Sequence, residues 1–157
     1  IRYPRGKGIG VPLDHELSIL PIGRGEVLCE GADLAMIAIG CTVHPVLQAA
    51  LKLRAEGFQV KVINARFIKP LDAELILSTA MSVHKIMTIE ENVLDGGFGS
   101  ALLELLAQNG VTGVTVRRLG IGDEFVEHAT QAELRSAYGL DEQGILRAAK
   151  EMLEQSC

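Results

Sequence analysis

Short apolar runs alternate with amphipathic stretches along most of this chain, at a spacing of roughly 25–30 residues. Five apolar runs are predicted to form strands, at residues 26–30, 34–40, 59–64, 85–90 and 114–119. Helices are predicted at residues 42–56 and 73–83, from about 100 to 107, after Thr130 and after Asp141. Strands joined by helical crossovers lie parallel, with helices on both faces of the sheet. The sequence therefore predicts an α/β fold, a three-layer αβα sandwich around a five-stranded, mostly parallel sheet.

The predicted strand at residues 26–30 differs from the others in its connections. No helix precedes it, and only a tight turn at residues 31–33 follows it. A parallel neighbour requires a crossover of a dozen or more residues, which this turn cannot supply. We therefore expect an antiparallel strand at one edge of the sheet.

Residues 1–25 differ in composition from the rest of the chain. Glycines and prolines punctuate this segment, which is typical of a linker rather than of a packed element. The chain also begins at Ile1 rather than at a methionine, which suggests a piece of a longer polypeptide. We interpret residues 26–157 as one domain, and residues 1–25 as the linker and the end of a preceding domain.

Charge and hydropathy exclude two classes of partner. The net charge is −5 and the pI is near 5.4, so the chain lacks the basic surface that binds nucleic acid. No apolar run approaches the roughly 18–20 residues needed to span a bilayer. We expect neither nucleic acid nor a membrane as a partner.

The cysteines and histidines are scattered. Cys29, Cys41 and Cys157 form no CxxC pair, which favours reduced thiols that pack as small apolar groups in the cytoplasm. The four histidines show no metal-ligand spacing; they are His15, His44, His84 and His128. We therefore predict no metal site within this chain.

Charged residues cluster where predicted strands end, the edge at which open α/β sheets bind ligands. Arg66 follows the strand at 59–64, and Asp72 stands just before a predicted helix, as an N-cap would. Glu90 and Glu91 end the strand at 85–90, and as neighbours they should point to opposite faces. No nucleophile or metal ligand accompanies them. We interpret Arg66, Asp72, Glu90 and Glu91 as structural ion-pair residues, with Arg66 paired to Glu90 or Glu91.

The glycine cluster at residues 96–99 has two interpretations. Exposed backbone N–H groups at the start of a helix suit a phosphate. The spacing matches neither GxGxxG nor GxxxxGK[ST], however, and Glu90, Glu91 and Asp95 would repel an anion. We therefore favour close packing of helix on strand over nucleotide binding.

An arginine pair flanks a rigid turn near the start of the chain, in Arg2-Tyr3-Pro4-Arg5-Gly6. Arginine is the natural bidentate partner of phosphate or carboxylate groups. The same geometry suits a salt bridge between domains, and composition alone leaves both interpretations open.

Several motifs together resemble the last third of 1-deoxy-D-xylulose-5-phosphate synthases, in chain order and over essentially the whole length. They are residues 2–6, 20–25, 64–72, 88–92, 96–100, 125–128 and 139–141. The chain departs from the usual family pattern at Gly120-Ile121-Gly122-Asp123, where a proline commonly precedes the aspartate, and at Ala129, where a glycine is common after the histidine.

The resemblance implies a function for the longer enzyme. Synthases of this family join pyruvate to glyceraldehyde 3-phosphate with loss of carbon dioxide, using thiamine diphosphate and Mg²⁺, for isoprenoid, thiamine and pyridoxal synthesis. They are three-domain bacterial enzymes of the cytoplasm that work as homodimers, and their cofactor residues lie in the first two domains. By resemblance, residues 1–25 end the pyrimidine-binding domain, and residues 26–157 form the transketolase-type carboxyl-terminal domain.

For this chain alone, the resemblance implies a structural, dimer-supporting unit that binds no cofactor and is inactive without the missing amino-terminal and middle domains. Arg5 corresponds to the family arginine that helps to hold the substrate phosphate. Two alternatives stay open at this stage. One is the same domain of a transketolase or of a 2-oxo-acid dehydrogenase E1 beta subunit, and the other is a free-standing anion- or partner-binding module.

Overall fold

The computed structural model of the chain describes residues 8, 10 and 19–154. Its strands are β1 (Glu26–Cys29), β2 (Leu34–Ala38), β3 (Val60–Asn64), β4 (Lys85–Val93) and β5 (Thr115–Ile121). Its helices are α1 (Val43–Ala55), α2 (Ala73–Ser82), α3 (Phe98–Gln108), α4 (Gln131–Ala137) and α5 (Glu142–Glu154), and a 3₁₀ turn at Gly40–Thr42 precedes α1. The alternation predicted from sequence is confirmed.

The five strands form one sheet in the order β1-β3-β2-β4-β5. β2, β3, β4 and β5 are parallel to one another, and β1 pairs antiparallel with β3 at one edge. The predicted fold class and the predicted antiparallel edge strand are therefore both confirmed. The crossovers place helices on both faces, which gives the three-layer αβα arrangement.

β2 lies at the centre of the sheet, and all five of its residues are buried. Its side chains alternate between two apolar cores because successive residues of a strand point to opposite faces. Leu34, Met36 and Ala38 pack with residues of α1 and α5, whereas Ala35 and Ile37 pack with residues of α2 and α3. A strand that is covered on both faces has a continuous run of apolar residues, and this run is the signal that predicted β2 from the sequence.

Two strands run further than sequence predicts. β4 continues to Val93 rather than ending at Glu90, and β5 continues to Ile121, so Gly120 lies inside a strand instead of breaking it. A Cβ on Gly120 would stand 2.7 Å from Cδ2 of Leu94 and 3.0 Å from the carbonyl oxygen of Asn92. The glycine therefore marks a close approach of two chain segments, which is the other common reason for a glycine in a strand.

The start of the first helix also differs from the prediction. Thr42 precedes α1, but its side chain accepts no capping hydrogen bond. Its buried hydroxyl donates instead to the carbonyl oxygens of Ile39 (2.9 Å) and Ile89 (3.0 Å). Thr42 thus ties the 3₁₀ turn to β4 and does not cap the helix. Among the described residues, no helix has the length and apolar character needed to cross a membrane.

Candidate functional site

The carboxyl ends of the parallel strands lie side by side, since Ala38 pairs with Asn64 and Ile89, and Ile89 pairs with Leu119. We define the carboxyl-end face as the surface formed by the last residues of β4 and by the segments that follow β2 to β5, namely residues 39–42, 65–72, 91–97 and 122–130. Arg66 and Glu91 lie on these segments, Asp72 ends one of them, and Glu90 lies directly beneath. The sequence therefore places its candidate residues at one end of the sheet, but their partners are not the predicted ones.

Glu90 is the most buried charged residue of this end, with 0% of its surface exposed. Its Oε2 accepts a hydrogen bond from the backbone N–H of Phe98 (2.7 Å), and its Oε1 accepts one from that of Gly99 (2.8 Å). These N–H groups open α3, where a helix has no internal acceptors and carries partial positive charge. Glu90 thus joins the end of β4 to the start of α3 without any arginine.

Gly97 and Gly99 allow the start of α3 to pack closely against β4. A Cβ on Gly97 would stand 2.5 Å from Glu90 Oε2, and one on Gly99 would stand 2.6 Å from Thr88 Oγ1. Any larger residue would push α3 away from β4. Since Glu90 already occupies the N–H groups that a phosphate would need, the geometry agrees with the packing interpretation of residues 96–99 and not with a nucleotide site.

Glu91 faces the opposite side of the sheet, as neighbours on a strand must. Its Oε2 lies 3.4 Å from Nη2 of Arg135, on α4. Burial raises the pKa of the nearby Cys41 thiol, and the Glu91 carboxylate raises it further, while Arg135 opposes that rise. Glu91 and Arg135 also line a cavity of about 170 Å³ whose walls include Ile121, Leu134, Gln131, Tyr138 and Leu140.

Replacing Glu91 with glutamine should speed the alkylation of Cys41 several-fold at pH 8. The thiolate is the reactive form, and removing the neighbouring negative charge lowers the pKa and raises the thiolate fraction at any given pH. The rate is measured by mass spectrometry of the Cys41 peptide after iodoacetamide treatment, with Glu104→Gln on the exposed side of α3 as control. An unchanged or slower rate would show that Glu91 does not act on this thiol.

Arg66 does not pair with Glu90 or Glu91, so that predicted pairing is wrong. Its Nη2 lies 2.6 Å from Oε2 of Glu26, on β1. The reason is strand order, because β1 pairs with β3 while β2 separates β3 from β4. Arg66 also has a φ of +57°, a conformation that glycine adopts more readily than arginine.

Replacing Arg66 with alanine should lower the free energy of unfolding by less than about 1 kcal/mol, because a partly exposed ion pair contributes little. Arg66→Gly should be more stable than Arg66→Ala by about 1 kcal/mol, because glycine relieves the left-handed backbone. Urea unfolding of both variants and of Glu26→Gln measures the difference. A loss of several kcal/mol for Arg66→Ala would contradict the peripheral role of this pair.

Asp72 caps α2, as predicted, and also fixes the incoming chain. Its Oδ1 accepts from the backbone N–H of Leu75 (3.2 Å), and its Oδ2 accepts from that of Gly25 (3.0 Å). Nη1 of Arg24 lies 3.4 Å from Asp72 Oδ1 and 2.9 Å from Oε2 of Glu74. The hydrogen bond to Glu74, followed by the charge of Asp72, raises the pKa of Arg24. Asp72 is thus an ion-pair residue whose partner is Arg24.

Arg5, the predicted phosphate-binding residue, lies outside the described residues. Within residues 19–154, no group of three His, Cys, Asp or Glu side chains is arranged to hold a metal ion. The carboxyl-end face therefore holds ion pairs and a helix cap, and its one thiol, Cys41, lies beside the Glu91 carboxylate and Arg135.

Sequence reasoning missed the partners of its own candidates. Arg66 pairs with Glu26, which is 40 residues away in the chain. Asp72 pairs with Arg24 at a separation of 48 residues, and Glu91 pairs with Arg135 at a separation of 44 residues. It also missed Arg118, whose Nη1 donates to the carbonyl oxygen of Leu94 and to Ser100 Oγ, each at 2.8 Å, and so holds the loop before α3. No local pattern signals such pairs, because they depend on which strands become neighbours.

A family model and individual relatives of known name both match this chain. Residues 23–145 match the family model described as transketolase, C-terminal domain. The chain is 58% identical over 153 residues to a 1-deoxy-D-xylulose-5-phosphate synthase of Syntrophus aciditrophicus, and 57% identical over 153 residues to 1-deoxy-D-xylulose-5-phosphate synthase 1 of Geobacter sulfurreducens. Each alignment covers 98% of this chain and 24% of the relative.

A solved structure has the same fold. The chain aligns at a TM-score of 0.78 and 34% identity with a protein described as a split gene transketolase, inactive beta4 tetramer, covering 85% of this chain and 43% of that one. The chain spans about a quarter of the length of the curated relatives it matches. On the family match, the relatives and the shared fold, this chain belongs to the transketolase C-terminal domain family.

Proposed function

We propose that this chain is the carboxyl-terminal unit of a 1-deoxy-D-xylulose-5-phosphate synthase. The observation that carries the proposal is the 58% identity over 153 residues with a protein of that name, of which the aligned part is 24%. The complete enzyme would join pyruvate to glyceraldehyde 3-phosphate with release of carbon dioxide. Its product would supply isoprenoid, thiamine and pyridoxal synthesis in the bacterial cytoplasm.

In this proposal the unit supports the enzyme structurally and holds neither thiamine diphosphate nor Mg²⁺. When bound, thiamine diphosphate supplies the carbanion chemistry of such a synthase. The start of α3 does not fit its diphosphate, because the Glu90 carboxylate already occupies the backbone N–H groups there. The cofactor would be held by the amino-terminal and middle domains of the same polypeptide, which would work as a homodimer.

We further propose that residues 26–157 are the domain and that residues 1–25 end the preceding, pyrimidine-binding domain and form the linker. The family match over residues 23–145 supports this division. The hydrogen bond from the backbone N–H of Gly25 to Asp72 also supports it, because it fastens the incoming chain to the start of α2 next to the proposed boundary.

The test is the synthesis of 1-deoxy-D-xylulose 5-phosphate from pyruvate and glyceraldehyde 3-phosphate, with carbon dioxide release measured in parallel. The complete polypeptide should form the product, and the 157-residue chain should not. A complete polypeptide that transferred a two-carbon unit between sugar phosphates without carbon dioxide release would instead be a transketolase. Product formed by the 157-residue chain would contradict its structural role.

Arg5 is our proposed ligand of the substrate phosphate. In the complete polypeptide, Arg5→Ala should raise the KM for glyceraldehyde 3-phosphate roughly 10- to 100-fold, the effect of losing a hydrogen bond to a charged group. The KM for pyruvate should change little, since pyruvate carries no phosphate. Arg2→Ala, in the same motif, is the matched control. Equal effects of the two variants would contradict a specific role for Arg5.

A further inference from the structure

Exposed apolar side chains gather on the carboxyl-end face. Ile68, Val93, Phe125 and Val126 are all exposed, and each lies on a segment that follows β3, β4 or β5, or at the last residue of β4. At the opposite end of the sheet, the described loops between helices and the next strand carry no large exposed apolar residue; the helices that lead to this end expose Leu51 in α1 and Met81 in α2. Apolar residues concentrated at one end mark an interaction surface.

Phe125 is fully exposed, yet its loop is held in place on both sides. The backbone N–H of Glu124 donates to the carbonyl oxygen of Gly122 (2.9 Å). Partial burial raises the pKa of Tyr138, and so does Glu124, which is hydrogen-bonded to it. After the loop, Thr130 and Glu133 form a complete capping box at the start of α4. A fixed loop presents an aromatic ring at low entropic cost, as interface anchors do.

Two clefts have lining residues on the carboxyl-end face. One, of about 430 Å³, is lined by Ile68, Val93 and Phe98 together with the polar loop at residues 95–97. The other is the cavity of about 170 Å³ between β5 and α4. The carboxyl-end face thus combines a projecting aromatic residue with recesses able to receive side chains of a partner, which is the anatomy of a protein interface.

The incoming chain reaches the domain at this same end. Asp72 binds the backbone N–H of Gly25, and a Cβ on Gly23 would stand 2.8 Å from Cγ of Pro70, so residues 23–25 lie against the turn before α2. Whatever precedes them in a longer polypeptide is therefore tethered beside the carboxyl-end face. A tether makes docking intramolecular and raises the effective concentration of the partner surface.

We propose that the carboxyl-end face is the surface through which this unit docks on the preceding part of the same polypeptide, with Phe125 as its anchor. This inference rests on the proposed function, in which three quarters of the enzyme lie outside this chain. Asp123, Glu124 and Glu127 are exposed and lie within two residues of Phe125 in the chain, so the receiving surface should be an apolar pocket with a basic rim.

The test is hydrogen exchange of the complete polypeptide and of the 157-residue chain, followed by mass spectrometry. Amides at residues 66–69, 92–97 and 122–128 should exchange about tenfold more slowly, or slower still, in the complete polypeptide, because an interface suppresses local opening. Phe125→Asp should return these amides to the rates of the 157-residue chain. Met81→Asp, at the other end of the sheet, is the matched control and should leave them protected.

Two outcomes would overturn the proposal. The first is equal exchange at the carboxyl-end face in both chains. The second is protection in the 157-residue chain that grows with its concentration, since the partner would then be a second copy. Unchanged melting of the 157-residue Phe125→Asp variant verifies that the substitution leaves the fold intact. Synthase activity is measured on the same samples. Protection without activity would refute the proposed function alone, and activity without protection would refute the docking alone.

Discussion

Replacing Glu90 with alanine should lower the free energy of unfolding by roughly 3–5 kcal/mol, because two hydrogen bonds to a charged acceptor are each worth about 1.5–3 kcal/mol. The loss leaves the buried N–H groups of Phe98 and Gly99 without an acceptor at the start of α3. A domain of this size is stable by only about 5–15 kcal/mol, so the variant would be marginal.

Glu90→Gln should lower the free energy of unfolding less than Glu90→Ala does. The carbonyl oxygen of the glutamine can accept one of the two hydrogen bonds, while its NH₂ group faces the other backbone N–H. Urea unfolding followed by circular dichroism gives the free energies. Glu104→Gln, an exposed glutamate on α3, should stay within about 0.5 kcal/mol of the natural chain. If Glu90→Gln and Glu104→Gln were equally stable, the carboxylate of Glu90 would not be what holds α3 on β4.

Asp72→Ala should lower the free energy of unfolding by about 2–3 kcal/mol. Loss of a helix cap costs about 1 kcal/mol, and the N–H of Gly25 would lose its acceptor at a further cost of about 1–2 kcal/mol. Asp72 is 8% exposed, so water replaces the lost acceptor poorly. The same unfolding measurement applies, and hydrogen exchange of the Gly25 amide should become faster because the substitution removes the carboxylate that accepts its hydrogen bond.

Glu74→Gln is the matched control for Asp72→Ala. Glu74 also pairs with Arg24, but its side chain is largely exposed and caps nothing. This variant should therefore change stability by less than about 0.5 kcal/mol. A loss for Glu74→Gln as large as that for Asp72→Ala would mean that the ion pair with Arg24, and not the cap, fastens the incoming chain.

Features that depend on neighbours in sequence were predictable. The strands follow from apolar runs, and the edge position of β1 follows from its short connection. Asp72 and Thr130 each cap the helix that begins at the next residue, by accepting a hydrogen bond from the backbone N–H three residues further on. Each of these signals acts over a few residues, where geometry is nearly fixed by the chain itself.

Features that depend on sheet order were not predictable. Arg66 could meet Glu26 only because β1 joins the sheet beside β3, and Glu91 could meet Arg135 only because α4 returns over the end of β4. The length of β5 was missed because Gly120 is typical of a strand break, whereas in the structure it makes room for Asn92 and Leu94 at the end of β4. The donors to Glu90 were missed because they are backbone N–H groups of α3, which meet the carboxylate only once that helix packs on β4.

The last helix fills the core that β2 shares with α1. Ile145, Ala148, Ala149 and Met152 of α5 complete that core, whereas the core on the other face is built from residues that precede β5 or belong to it. During synthesis on the ribosome, the core on the α2 and α3 side of the sheet can therefore pack before α5 has been made. The core on the α1 side cannot be completed until α5 is available. A nascent chain halted before residue 142 should expose the α1 side and bind chaperones that recognise apolar segments.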